Sequence, residues 1–320
     1  MLSTRYGVLG ALAAASLVMA GCGSPQTASA GGSEGGSAGA EITVTHPAGE
    51  TTVTQDPQKV VVLDMAALDA IDALDEGDAV AGVAKGKVPE DLADYQDGDI
   101  PQVGSLKEPD FDAISEIGPD LIVAGGRTAE VIPELEKIAP TIQVMADPTE
   151  DPVEELDRNL SMLGEIFQAE DAATEEVEEV KADIEDAKSA AGDAGSTLVL
   201  SSGGGKISAF GPGSRFGIIH TTFGFTPADE NIEESTHGQT VSFEFVSEAD
   251  PETIFVVDTD AAKGTEGAQP AEQVLDNDLV KQTKAAQNDR IIYLDPMTWY
   301  IIGVTGPQAL SDMAEEVQSA

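Results

Sequence analysis

The sequence contains one cysteine, Cys22, so no intramolecular disulfide braces the fold. Basic residues are scarce: 16 Lys and Arg stand against 59 Asp and Glu, for a formal charge of −43, and only five of the cations are Arg. A protein that binds nucleic acid by neutralising phosphates needs clustered Lys and Arg, so that class is excluded. So acidic a surface is solvated and self-repelling, as suits a soluble monomer and a saline habitat, but it identifies no partner. Aromatic residues make up only 4%, yet 41% hydrophobic residues over 320 positions allow two medium cores or one large one. No P-loop, dinucleotide-binding GxGxxG, HExxH or CxxC occurs, and no GxSxG outside the Gly/Ser-rich stretch 23–40, where the spacing is only a product of composition. Gly203-Gly204-Gly205 precedes a strand pattern rather than opening a helix, so it is no phosphate cradle. Three histidines without a nearby Cys argue against a zinc site of the usual composition.

The N-terminus carries an export signal. Arg5 supplies its positive charge, and residues 8–20 form an apolar stretch too short to span a membrane. The run Met19-Ala20-Gly21-Cys22 places small residues just before the cysteine, as in a bacterial lipoprotein signal, where that cysteine is acylated after cleavage. The alternative is an ordinary secretory signal with an incidental Cys. Residues 23–40 are Gly/Ser/Ala-rich and aperiodic, a flexible tether. Together these place the folded part on the extracytoplasmic face of the membrane, held by lipid.

Residues 41–53 read as a strand or hairpin turning at His46-Pro47-Ala48-Gly49. Buried-strand runs at 60–63, 79–83, 121–124 and 141–145 alternate with helical spacing at 64–74, 111–117 and 128–138, which predicts an α/β unit with a mainly parallel sheet. Helices are expected over 152–167 and over the charged, Gly- and Pro-free run 172–191. The alternation then restarts with strands at 197–201 and 206–210, a helix from Phe216, and strands at 253–257 and 291–294. The expected organisation is an N-terminal lobe over 41–168, a connecting helix over 169–191 and a C-terminal lobe over 192–320.

An internal echo supports two lobes of one design. The run FDAISEIGPDLI at 111–122 aligns with FEFVSEADPETI at 243–254, a constant offset of 132 residues, and both read as helix, tight turn and buried strand. Arg127 follows the strand of the first copy, and its counterpart Thr259 follows the strand of the second. Ligands collect outside the carboxyl ends of parallel strands, so Arg127, Arg215, Thr259 and Lys263 are suited to face one cleft. Asp112 and Glu244 occupy equivalent positions at the helix starts, where an acid is locally favoured.

The stretch 206–244 is the centre of this reading. It sets Arg215 in a loop, Gly211-Pro212-Gly213-Ser214-Arg215, and His237 in a second loop, Glu234-Ser235-Thr236-His237-Gly238-Gln239. An Arg in a rigid loop of so acidic a chain suggests either an anion to be held or a neighbouring carboxylate. For His237 a loop hydrogen bond is the alternative to a ligand role. Trp299-Tyr300 lies just beyond the strand 291–294, a place for either core packing or cleft exposure. His220, on an apolar helical face, reads as structural, and His46 in its turn as incidental.

The blocks GSLKEPDFDAISEIGPDLIVAGGR, KISAFGPGSRFGIIHTTFGF, STHGQTVSFEF and IIYLDPMTWY resemble the ABC-transporter substrate-binding lipoproteins for ferric siderophores, in the catecholate- and petrobactin-binding branch. The resemblance runs from about residue 41 to the C-terminus. It implies two pseudo-symmetric α/β lobes joined by a long rigid helix, with the ligand in the cleft between them. It also implies delivery of an iron(III)–siderophore complex to an ABC permease dimer, with no reaction and no cofactor. By position, Arg127 and Arg215 resemble the arginines that hold the anionic ferric catecholate. His237 and Tyr300 resemble the residues that complete the iron's coordination when a siderophore leaves two positions open. Trp299 and Lys263 are added as ligand-binding candidates. Thr259 stands where close relatives carry a third Arg, with Lys263 nearby as a partial substitute. The family docks on its permease through an acid on each lobe, for which Asp112 and Glu244 are the candidates. Two other readings compete: the same fold carrying haem, a corrinoid or another metal chelate, and a surface metal-dependent hydrolase. The lack of a nucleophile–base or metal-ligand cluster argues against the hydrolase.

Overall fold

The computed structural model describes residues 39–146, 150–233 and 235–320. The expected export signal, Cys22 and all but the end of the tether lie outside the described residues. The chain opens with an antiparallel hairpin, β1 (Glu41–His46) and β2 (Gly49–Thr54), as expected from its alternation.

The first sheet is wholly parallel. Its strands are β3 (Val60–Val62), β4 (Val80–Lys85), β5 (Gln102–Ser105), β6 (Leu121–Ala124) and β7 (Thr141–Gln143), in the order β5-β4-β3-β6-β7. Val60, Val61 and Val62 are buried to within 1% because the central strand is covered on both faces, which is why it reads as an uninterrupted apolar run. The second sheet is mixed: β8 (Ser196–Gly203), β9 (Lys206–Phe210), β10 (Thr226–Pro227), β11 (Gln239–Val241), β12 (Thr253–Asp258) and β13 (Ile291–Leu294). Its path is β11-β9-β8-β12-β13, parallel through β8, β12 and β13 and antiparallel through β9 and β11, with β10 beside β8.

The echo is structural. Helices Phe111–Ile117 and Phe243–Ala249 are both seven residues long and both end on a left-handed residue, Gly118 (φ 61°) and Asp250 (φ 41°). The strand that follows begins at Leu121 in one copy and Thr253 in the other. Before each strand an acid anchors the neighbouring strand: Asp120 accepts from the Gln58 and Lys59 amides, and Glu252 from the Ser196 amide.

Helix Glu170–Ala191 has 22 residues, roughly 33 Å at 1.5 Å per residue. Ala173, Val177, Val180, Ile184, Ala187 and Ala191 form its buried stripe, and they pack against helices Pro152–Phe167 and Pro307–Val317. The last helix also packs on Met65–Ala73, beside the first sheet, although it follows the second sheet in sequence. Two expected helices are shorter than the sequence pattern suggested. The stretch 128–138 resolves into a 3-10 turn, Gly126–Val131, and one α-turn, Ile132–Leu135, restarted by Pro133 near its N-terminus. The helix expected from Phe216 is the single turn Ile218–Thr221.

Candidate functional site

Arg127 leaves the carboxyl end of β6 on a tight turn whose first amide, that of Gly125, donates to the Thr128 hydroxyl at 3.1 Å. Position 125 admits no side chain, since a Cβ there would lie 2.0 Å from Asp64 Oδ2. Asp64 caps helix Met65–Ala73 by accepting from the Ala66 and Ala67 amides, and its other oxygen lies 3.9 Å from Arg127 Nη1. Burial pushes the Asp64 carboxyl up, and the Arg127 charge pulls it back.

Arg215 is fixed from the second lobe. The Ser214 amide donates to the Gly211 carbonyl at 3.1 Å and the Gly217 amide to the Ser214 carbonyl at 2.9 Å, two successive turns that stiffen the loop. Gly217 is required there because a Cβ would sit 1.9 Å from the Pro212 carbonyl oxygen. The Arg215 guanidinium lies over the Tyr300 ring at 4.4 Å and near Phe216 at 5.9 Å. Burial, and then the neighbouring Arg127 charge, lower its pKa.

Both arginines donate to one acceptor, the main-chain carbonyl of Tyr300, Arg127 Nη2 at 3.2 Å and Arg215 Nη2 at 2.5 Å. Tyr300 belongs to a π-helical turn, Met297–Ile302, whose start is capped by Asp295 accepting from the Met297 and Thr298 amides. Lys263 Nζ lies 4.9 Å from the Tyr300 ring centroid, so two cations flank that ring.

A cavity of about 420 Å³ is lined by Arg215, Lys263, Tyr300, Thr259 and the exposed His237, among others. The structure thus brings together four of the expected ligand residues in one cavity. Arg127 is not in its lining but reaches the same carbonyl as Arg215. Thr259 is buried and donates its hydroxyl to the Ser202 carbonyl at 3.0 Å. Trp299 corrects its expected role. It is 2% exposed, edge-on to Phe216 and Phe223, and its indole N–H donates to Glu316 at 2.9 Å, so it is core. The turn directs Tyr300 to the cavity and its neighbour inward.

Two lining charges escaped the sequence reading. Lys206, Ser208 and Phe210 alternate along β9, and all three line the cavity, so the period-two pattern held the missing signal. Asp260 also lines it, and its carboxylate accepts from the Gly204 amide at 2.7 Å, tying the β8–β9 turn to helix Thr259–Lys263. His220 is buried, with Nδ1 2.9 Å from the Phe225 carbonyl, as a structural histidine should be. His46 is also buried, beside the Thr51 hydroxyl at 2.9 Å, and burial lowers its pKa. Asp112 and Glu244 are exposed second residues of the paired helices. The Glu244 carboxyl is held below the ordinary range by its own backbone N–H and the Ser242 hydroxyl.

Two sheets thus bring a pair of arginines to one point beside a cavity, an arrangement suited to holding a small anion. The chain belongs to the periplasmic binding protein family, whose pattern matches residues 60–298. It is 41% identical over 305 residues to the petrobactin-binding protein YclQ of Bacillus subtilis, covering 94% of each chain. The crystal structure of that protein superposes with a TM-score of 0.83 over 88% of this chain and 98% of the other. The periplasmic catecholate-siderophore binding protein VctP of Vibrio cholerae is 37% identical, with a TM-score of 0.80 over 88% of this chain and all of the other (100%). The ferric-anguibactin-binding protein FatB of Vibrio anguillarum is 32% identical over 265 residues, 81% of each chain. The resemblance read from the four sequence blocks is thereby borne out.

Proposed function

We propose that this protein binds an iron(III) siderophore complex of the catecholate type outside the cytoplasmic membrane and hands it to an ABC permease without transforming it. The observation that carries this reading is the convergence of Arg127 and Arg215 on one point beside a cavity that Lys263, His237 and Tyr300 also line. A ferric tris-catecholate carries about three negative charges spread over planar rings, and a guanidinium fork suits such an anion. Relatives whose names specify petrobactin, a catecholate siderophore and ferric anguibactin support the ligand class. Iron is the cargo and brings most of its donors with it. His237 and Tyr300 would supply two more where the siderophore offers four.

On this reading Cys22 carries the lipid anchor, in keeping with relatives named as substrate-binding lipoproteins. Asp112 and Glu244 offer one carboxylate per lobe to a two-fold permease. The second reading, a less charged metal chelate such as haem or a corrinoid, draws on the neutral Thr259 at the cavity wall. Titration with ferric tris- and bis-catecholates, haem and cobalamin, followed by quenching of the single tryptophan, separates the two. Saturable binding of the ferric catecholates alone supports the proposal, and preference for haem or cobalamin sinks it.

A further inference from the structure

We propose that the main-chain carbonyl of Tyr300 is a positioning group of this site. It holds Arg127 and Arg215 together, and the cargo takes their donors from it, so that loading is passed to the turn Met297–Ile302. The inference rests on the functional reading above, in which an anion enters beside these arginines.

Two guanidinium groups of like charge repel, and the Arg127 charge already depresses the Arg215 pKa. An acceptor shared between them offsets that repulsion and aims both forks at one point. The Tyr300 carbonyl is suited to this because the last carbonyls of a helical turn lack partners within the turn and carry partial negative charge. It accepts one donor from each arginine. Asp64 lies 3.9 Å from Arg127 and the Tyr300 ring lies 4.4 Å from Arg215, so each guanidinium keeps a second contact besides the carbonyl. A π-helical turn is rare and accumulates at functional sites, which agrees with an element built to present one carbonyl outward.

The same geometry sets up an exchange. The bond to the carbonyl joins a charge to a dipole, whereas a bond to an anion joins opposite charges and can be bidentate, so a delocalised anion outcompetes the carbonyl for the guanidinium N–H groups. The displaced carbonyl belongs to a turn that also bears Trp299, whose indole is bonded to Glu316 of the last helix. The Asp295 amide, just before the turn, donates to that same carboxylate. The turn that bears the carbonyl is thereby anchored to helix Pro307–Val317.

The sequence allows a direct test, because Tyr300-Ile301 is its single Tyr-Ile pair. Labelling tyrosine with carbonyl ¹³C and isoleucine with ¹⁵N isolates one carbonyl signal, that of Tyr300, in the full mature chain. The probe is gallium(III) tris-catecholate, a diamagnetic analogue of the ferric complex, with calorimetry on the same sample. On saturation the signal should move upfield as the carbonyl loses its donors. In cargo-free protein, Arg127→Gln and Arg215→Gln should each move it part of the way. Calorimetric binding with a stationary carbonyl overturns the exchange, and variants that leave the signal unmoved overturn the positioning role. Absence of any binding heat overturns the functional reading itself, and the exchange with it.

Discussion

Helix Pro307–Val317 starts at Gly306, which has no side chain to cap it, and Asp69 of helix Met65–Ala73 performs that task by accepting from the Ala309 amide at 3.2 Å. The carboxyl is 5% exposed, and burial, more than the nearby carboxylates of Asp312, Asp72 and Asp91, raises its pKa from 3.8 to about 7. A carboxyl whose folded pKa is raised favours the folded state fully while both states are protonated, below about pH 4. That contribution is lost as pH rises from about 4 to about 7, where the unfolded chain ionises first. Three pKa units at 1.36 kcal/mol each set an upper bound of about 4 kcal/mol. In Asp69→Asn the amide oxygen still accepts from Ala309, but nothing titrates. The variant should therefore gain on the wild type by up to about 4 kcal/mol between pH 4 and pH 8. Urea unfolding of both proteins at pH 4, 6 and 8 measures this, and the difference between them cancels the titration of the chain's many other carboxylates. A stability gap that stays constant across that range refutes the reasoning.

Trp299→Phe removes the hydrogen bond to the half-buried Glu316 carboxylate and should destabilise the fold by roughly 1.5–3 kcal/mol in urea unfolding, with calorimetric affinity for cargo unchanged; a selective loss of affinity would return Trp299 to the site. Tyr300→Phe should alter the charge-transfer band of a ferric bis-catecholate complex and leave that of a hexadentate tris-catecholate unchanged, and identical bis-catecholate spectra would remove the ligand role. Asp112→Lys combined with Glu244→Lys should abolish uptake of iron by cells while cargo binding in solution stays intact, each single variant being intermediate. Normal uptake by the double variant would reduce both acids to helix-start residues.

Much of this was legible where one period dominated. The runs at 121–124, 152–167, 206–210 and 291–294 form the elements that their apolar spacing implies, and the offset between Phe111 and Phe243 marks two matching helix–turn–strand units. Strands β5 and β11 were not, because three or four partly exposed residues become strands only through their partners. The Arg127 turn tightens into a 3-10 form because Pro133 restarts the helix near its own N-terminus, a competition that helical spacing alone does not register. Placing Trp299 in the cleft failed by one residue of phase: a π-turn sends Trp299 inward and Tyr300 outward, and the apolar pattern of 297–302 does not carry that rotation. The Tyr300 carbonyl lay beyond reach for a deeper reason, since a backbone acceptor leaves no trace in side-chain chemistry.

The central claim is that Arg127 and Arg215 hold the cargo anion, and titration of wild type, Arg127→Ala and Arg215→Ala with a ferric tris-catecholate tests it most directly. Losing a hydrogen bond to a charged group costs roughly 1.5–3 kcal/mol, so each variant should bind about 10- to 150-fold more weakly at 1.4 kcal/mol per tenfold. Titration curves that superimpose on the wild type for both variants would contradict the account.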